Sequence, residues 1–391
     1  MDGKTMSPNW EMERAQFPAA QNQTYLLTAA AGPLSQAAWK AYQTHYSELL
    51  EHGDIHWLKT LEEIEECRRE TVPFIGAHNE SEIAFTSNTS LAMNLLAMTF
   101  KELLLRQKKP LSVLTCKEEF PSTTLAWIHH GFQVNQVSAV DLEETLRLSP
   151  PSITLTSAVQ YGTGFRQNLD VLGDLCRRSQ SYLIVNATQS LGAFPVRAVH
   201  SGITALAASC HKWMCCGFGL SLMFLDEKLH QEARWPLAGW LGVRNPMNMD
   251  NCQVDLARTA RAFELGVPPI ATIAALRNQM RELNRIGAES ISQRILELSE
   301  YLVEEIQDKL PSVEILSKRS RKSDTNTINS GIVLLRVPNA EKLLHYLAEN
   351  NIHVSFRQGG LRIATHFFNN RSDIDRLLAF MDRFQALNSG V

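Results

Sequence analysis

Ser209-Cys210-His211-Lys212-Trp213-Met214-Cys215-Cys216-Gly217-Phe218-Gly219 joins two apolar runs, residues 205–209 and 220–225, that read as buried strands. One lysine lies between them, with small or polar neighbours and glycines just after it. An ammonium held there is poorly solvated. Burial lowers the pKa of such an amine, and a neutral amine is a nucleophile toward aldehydes. A lysine at a strand end can equally run its stem along apolar surface and reach water. The rest of the chain decides between the two.

Outward from this stretch, short β-branched runs alternate with amphipathic ones. Strands are expected at 82–86, 111–115, 133–137, 152–158 and 181–186, with helices at 91–105 and 123–130. This spacing predicts a mostly parallel sheet covered by helices on both faces. After Pro268-Pro269 the texture changes. A long amphipathic helix over 270–309, interrupted near Gly287, leads through a charged loop at 317–324 to a smaller α+β unit. That unit holds segments 331–337, 340–350, 353–356 and 361–364. The expected division is an N-terminal segment 1–24, a large domain 25–268 and a small C-terminal α+β domain 269–391.

In open α/β sheets ligands sit beyond the carboxyl ends of the strands. Ser87-Asn88-Thr89-Ser90 closes one strand and opens a helix, which offers hydroxyls and free N–H groups to a phosphate; it also serves as an ordinary N-cap. Asn186-Ala187-Thr188-Gln189 places two amides at another strand end, and Val159-Gln160-Tyr161-Gly162-Thr163-Gly164 a phenol and two glycines at a third. Arg362 lies inside the apolar run 361–364, where a guanidinium needs an anion, whether a ligand carboxylate or an internal partner. Cys210, His211, Cys215 and Cys216 crowd together, yet adjacent residues cannot easily all face one ion. Buried apolar thiols are the better reading, and no metal is expected.

Composition narrows the field. The 391 residues are 44% hydrophobic and 20% charged, with 38 Lys+Arg against 41 Asp+Glu and a net charge of −3. No basic face for nucleic acid or acidic membranes follows from that balance. The longest apolar run, 213–225, is broken by glycines and too short for a bilayer. Residues 1–22 are polar and lack the pattern of a secretory signal. Seven unevenly spaced cysteines read as reduced thiols, so a cytoplasmic location is expected.

Taken together, these segments resemble the class V aminotransferase family of pyridoxal-phosphate enzymes, on the fold type I scaffold. That group includes cysteine desulfurases, selenocysteine lyases and isopenicillin N epimerase-like proteins. The resemblance runs from Tyr25-Leu26-Leu27-Thr28-Ala29-Ala30-Ala31-Gly32-Pro33 through Glu118-Glu119-Phe120-Pro121-Ser122, the Asn186 and Lys212 segments and Phe263-Glu264-Leu265-Gly266-Val267-Pro268. It ends at Leu361-Arg362-Ile363-Ala364-Thr365-His366 and the three residues after it. It implies that Lys212 forms a Schiff base with pyridoxal 5'-phosphate and that Thr89, Ser90, Ser209 and His211 hold the phosphate. Phe120 would stack on the pyridine, Gln189 and Tyr161 would lie at the phenolate oxygen, and Arg362 would bind the α-carboxylate of a small amino acid. A homodimer is implied as well.

Two positions depart from the family. Asn186 stands where an aspartate is usual, and a neutral amide cannot keep the pyridine nitrogen protonated by charge. Val267 stands where a threonine often reaches the partner subunit's phosphate. The chain also has no cysteine after Cys252, so it lacks the small-domain thiol on which a desulfurase carries sulfur. The expectation is therefore an aminotransferase-like enzyme. A carbon–sulfur lyase, an epimerase and a cofactor-binding protein with weakened catalysis are the alternatives.

Overall fold

The computed structural model describes residues 8–320 and 328–388; the remainder of the N-terminal segment and of the 317–324 loop lie outside them. After β1 (Thr24–Tyr25), seven strands form the large sheet. They are β2 (Ile83–Thr86), β3 (Ser112–Cys116), β4 (Gln133–Val137), β5 (Ile153–Ser157), β6 (Tyr182–Asn186), β7 (Ala205–Ser209) and β8 (Ser221–Leu225). Their order is β2-β8-β7-β6-β5-β3-β4. Neighbours from β7 to β4 pair in parallel, and β8 alone runs against both β7 and β2. Every residue of β2, β5 and β8 is buried, as strands covered on both faces require. The edge strand β4 instead exposes Gln133, Asn135 and Gln136, polar residues that discourage further pairing.

The strands expected from sequence are all present within a residue or two. Two helices not expected from the sequence, Gln36–His52 and Trp57–Ile75, pack against the expected helix at Ile270–Ile286, whose Ile273, Leu276 and Met280 join the core of the large sheet. The helix then breaks at Gly287, where φ is 93°, before Ala288–Lys309 begins. Arg68 on the Trp57–Ile75 helix is only 2% exposed. Its Nη1 and Nη2 donate to Glu264 Oε1 and Oε2 at 2.7 and 3.0 Å, and Glu264 Oε1 also accepts from Phe85 N at 2.8 Å.

The second sheet comprises β9 (Glu314–Ile315), β10 (Ile332–Arg336), β12 (Ser355–Arg357) and β13 (Gly360–Ala364), antiparallel in the order β12-β13-β10-β9. Between them β11 (Ile352–His353) pairs in parallel with β1. Residues 25–27, expected to begin the large domain, therefore run beside the second sheet, where Leu27 bridges Ala364.

Candidate active site

Five strand ends converge on one cavity of about 320 Å³. Residues following β2, β3, β5, β6 and β7 all line it, and β12 and β13 close it from the second sheet. Among the described residues its charged lining side chains are Lys212, Arg357 and Arg362, without an aspartate or glutamate. Such a cavity attracts anionic ligands.

One end is a cup of hydroxyls. Asn88 caps the Thr89–Arg106 helix, its Oδ1 accepting from Leu91 N at 2.8 Å. The first N–H groups of that helix therefore open toward the cavity beside Thr89 and Ser90. Thr89 Oγ1 shares hydrogen bonds with Ser209 Oγ at 2.6 Å, Thr188 Oγ1 at 3.3 Å and Ser221 Oγ at 3.4 Å. Ser209 N donates to Thr188 Oγ1 at 3.0 Å. His211 borders the cup and stacks on Phe218, with ring centroids 5.0 Å apart. Burial, then the charge of Lys212, pushes the His211 pKa down to about 4, so its ring is neutral.

Lys212 Nζ lies 5.5 Å from the centre of the Phe120 ring, which meets Tyr161 edge-on at 5.2 Å. Burial first, then the guanidinium charges of Arg362 and Arg357, lower the Lys212 pKa to about 8. An appreciable share of the amine is thus neutral near physiological pH. The loop that carries Lys212 is fixed main chain to main chain. Gly32 N donates to His211 O at 2.8 Å, and a Cβ on Gly32 would fall 2.0 Å from the Lys212 carbonyl oxygen. On its other side Trp213 O accepts from His366 Nε2 at 2.9 Å. Cys210, Cys215 and Cys216 are fully buried around this loop, and burial raises the thiols of the latter two.

The amides of β6 and the turn after it are oriented by their partners. Asn186 Oδ1 accepts from Thr188 N at 3.0 Å, and Asn186 Nδ2 donates to Thr123 Oγ1 at 2.8 Å. Gln189 Nε2 donates to Ala29 O at 2.9 Å while Gln189 Oε1 accepts from Trp213 Nε1 at 2.7 Å. Each side chain keeps one N–H for the cavity that both line. Nearby lies Glu119, a buried carboxyl that accepts from Ser157 N at 2.6 Å, Gln160 Nε2 at 2.7 Å and the hydroxyls of Ser157 and Thr156.

At the far end Arg362 is 2% exposed. Its Nε donates to Ser355 Oγ at 3.0 Å and its Nη1 to Tyr161 O at 2.6 Å. Among the described residues no carboxylate pairs with it. Burial, then the nearby Arg357, lowers its pKa to about 10, so it remains charged at neutral pH.

All nine residues singled out by sequence for cofactor binding, and Arg362, line this one cavity. Thr188 and Ser221 complete the hydroxyl cup, and Thr123 supports Asn186, without having been singled out. Thr188 sat inside a quoted motif, but nothing in its spacing showed which way it pointed. The cup, the partly neutral amine and the unpaired guanidinium fit an aldehyde cofactor with a phosphate tail and a carboxylate-bearing substrate.

The folded framework is that of pyridoxal-phosphate enzymes of fold type I. The apo cysteine desulfurase from Thermococcus onnurineus superposes with a TM-score of 0.86 at 21% identity, covering 99% of this chain and 100% of that one. A variant of C-DES with glycine covalently linked to its PLP cofactor gives 0.83 at 20% identity, over 94% of this chain and 98% of its own. In sequence, an uncharacterized aminotransferase of Bacillus subtilis is 24% identical over 371 residues, 93% of this chain and 95% of its own length. The family profile for aminotransferase class-V matches residues 24–377. The chain belongs to that family, whose cofactor is pyridoxal 5'-phosphate.

Proposed function

We propose that this chain is a pyridoxal-phosphate-dependent aminotransferase-like enzyme acting on a small amino acid. The observation that carries the reading is the lowered pKa of Lys212, about 8, in a cavity between a neutral hydroxyl cup and an unpaired buried arginine. The cofactor supplies an aldehyde that condenses with amines and a ring that draws electrons from the substrate Cα. Thr89, Ser90, Ser209 and His211 hold its phosphate, joined by Thr188. Phe120 supports the ring face, Gln189 and Tyr161 sit at the phenolate oxygen, and Asn186 faces the ring nitrogen. Arg362 orients the substrate through its carboxylate, for which its guanidinium has no competing acid. The Lys212 amine would carry the Cα proton of the substrate.

Borohydride reduction of the loaded protein followed by peptide mapping tests this directly. A reduced pyridoxyl group on Lys212, absent in Lys212→Ala, is the expected result; a pyridoxyl group elsewhere sinks the reading. An amino-acid panel then sorts the chemistry. Transamination yields a keto acid only with an acceptor, a carbon–sulfur lyase releases sulfide and pyruvate, and an epimerase only loses optical rotation. The likeness to C-DES favours the lyase as second reading. No turnover at all points to a cofactor-binding protein weakened by Asn186. A homodimer is supported by the apolar side chains exposed along residues 39–58, namely Trp39, Tyr46, Leu49, Leu50, Ile55 and Leu58, with Val267 nearby in the same surface pocket as Leu49. Among the described residues no helix is long and apolar enough to cross a membrane, and a cytoplasmic location is proposed.

A further inference from the structure

Arg357 and Arg362 belong to one hairpin, and its turn fixes how they face. Gln358 and Gly359, the two residues between β12 and β13, both have left-handed backbone, with φ of 49° and 76°. A two-residue turn with two positive φ angles matches the twist of the flanking strands and sets their register. Ser355 thereby lies opposite Arg362, and Arg357 opposite Gly360. Side chains alternate between faces along a strand, so the two arginines share a face as diagonal neighbours, a spacing of about 7–8 Å in such ladders. The turn itself is seated against the loop that carries Tyr161, since a Cβ on Gly162 would collide with the side-chain oxygen of Gln358.

Both arginines line the cavity, and among the described residues neither pairs with a carboxylate. Arg362 gives Nε to Ser355 Oγ and Nη1 to Tyr161 O, which leaves its Nη2 without a partner there. Arg357 is exposed, and its Nη1 donates at 2.7 Å to the carbonyl of the preceding residue, Phe356. Arg336 of the same sheet, exposed as well, is closed by Glu314. The other polar side chains around the cavity supply no negative charge either: Asn186 is an amide and the His211 ring is neutral. Once Arg362 holds an α-carboxylate, a second guanidinium with free donors still faces the rest of the substrate.

We propose that the substrate is an amino acid whose side chain ends in a carboxylate, with Arg362 taking the α-carboxylate and Arg357 the side-chain carboxylate. This rests on the reading of Lys212 and Arg362 given above and narrows it. The same pair of charges repels a substrate with a cationic side chain.

The test titrates the protein loaded with pyridoxal phosphate with L-aspartate and L-glutamate and with their amides, L-asparagine and L-glutamine, and reads apparent Kd from cofactor absorbance. Each acid and its amide match in size, so their ratio isolates the charge. At least one acid is expected to bind about tenfold more tightly than its amide. Arg357→Gln is expected to bring that ratio close to one, and Arg357→Lys to keep most of it. Arg362→Gln is expected to weaken acids and amides alike and leave the ratio standing. Acids that bind no more tightly than their amides overturn the proposal, as does a preference that survives Arg357→Gln undiminished. Borohydride mapping of the same samples separates the two levels. Cofactor missing from Lys212 overturns the site reading and this inference together, whereas cofactor on Lys212 with no preference for the acids overturns this inference alone.

Discussion

Arg68 and Arg362 are equally buried, each 2% exposed, and they have opposite environments. Arg68 is closed by Glu264 in a two-point pair, and that carboxylate raises its pKa against the effect of burial. Arg362 has a serine hydroxyl and a main-chain carbonyl, and its pKa is lowered. A buried guanidinium left with only neutral acceptors costs stability unless an anion arrives. The first is a finished internal contact that ties the helix Trp57–Ile75 to the segment just before the helix Ile270–Ile286. The second is half of a contact whose other half is a ligand. Burial alone does not separate structural from binding arginines; the missing carboxylate does.

The largest effect expected from breaking this contrast is Glu264→Gln. It leaves the buried Arg68 with Glu65, a partly exposed partner at 3.1 Å, as its one remaining carboxylate among the described residues and should lower unfolding stability by about 3 kcal/mol in denaturant titration. Arg362→Gln should behave in the opposite way. Stability should hold or rise, while the apparent affinity for an amino-acid ligand, read from cofactor absorbance, falls by about 2–4 kcal/mol, or roughly 30- to 1000-fold. A stability loss in Arg362→Gln comparable to that of Glu264→Gln would erase the distinction. The smallest effect sharpens it. In apo-protein the capture of pyridoxal by Lys212 should rise through a midpoint near pH 8, because its amine loses its proton well below the usual 10.5. In Arg362→Gln that midpoint should move upward, but only part of the way, since burial outweighs the charge of Arg362 as a cause. Arg68 is not among the groups acting on Lys212, so Glu264→Gln should leave the midpoint where it is.

The sequence carried much of the fold because β6, β7 and β8 are nearly unbroken apolar runs. The rule that ligands sit at strand ends located the cavity, since the residues ending and following β6 and β7 line it. Arg362 stood out as a charge inside an apolar strand. Contacts between distant segments did not show. Arg68 and Glu264 are 196 positions apart, and neither has a local pattern that points to the other. Glu119 and Thr123 were visible as residues near Phe120, but the bonds of Glu119 to Ser157 and Gln160 and of Thr123 to Asn186 depend on how β3, β5 and β6 lie side by side. The helix Gln36–His52 was hidden for another reason. It leaves Trp39, Tyr46, Leu49 and Leu50 exposed, so its apolar residues do not trace one buried face.

The contact at Gly32 also limits how far the chain can be cut back. Residues 24–32 give β1 its pairing with β11, supply Ala29 O to Gln189, and lay Gly32 against the carbonyl of Lys212. They form one wall of the lysine loop. A shortened chain that begins after residue 32 would lose that wall, and with it Leu26 from the core of the second sheet.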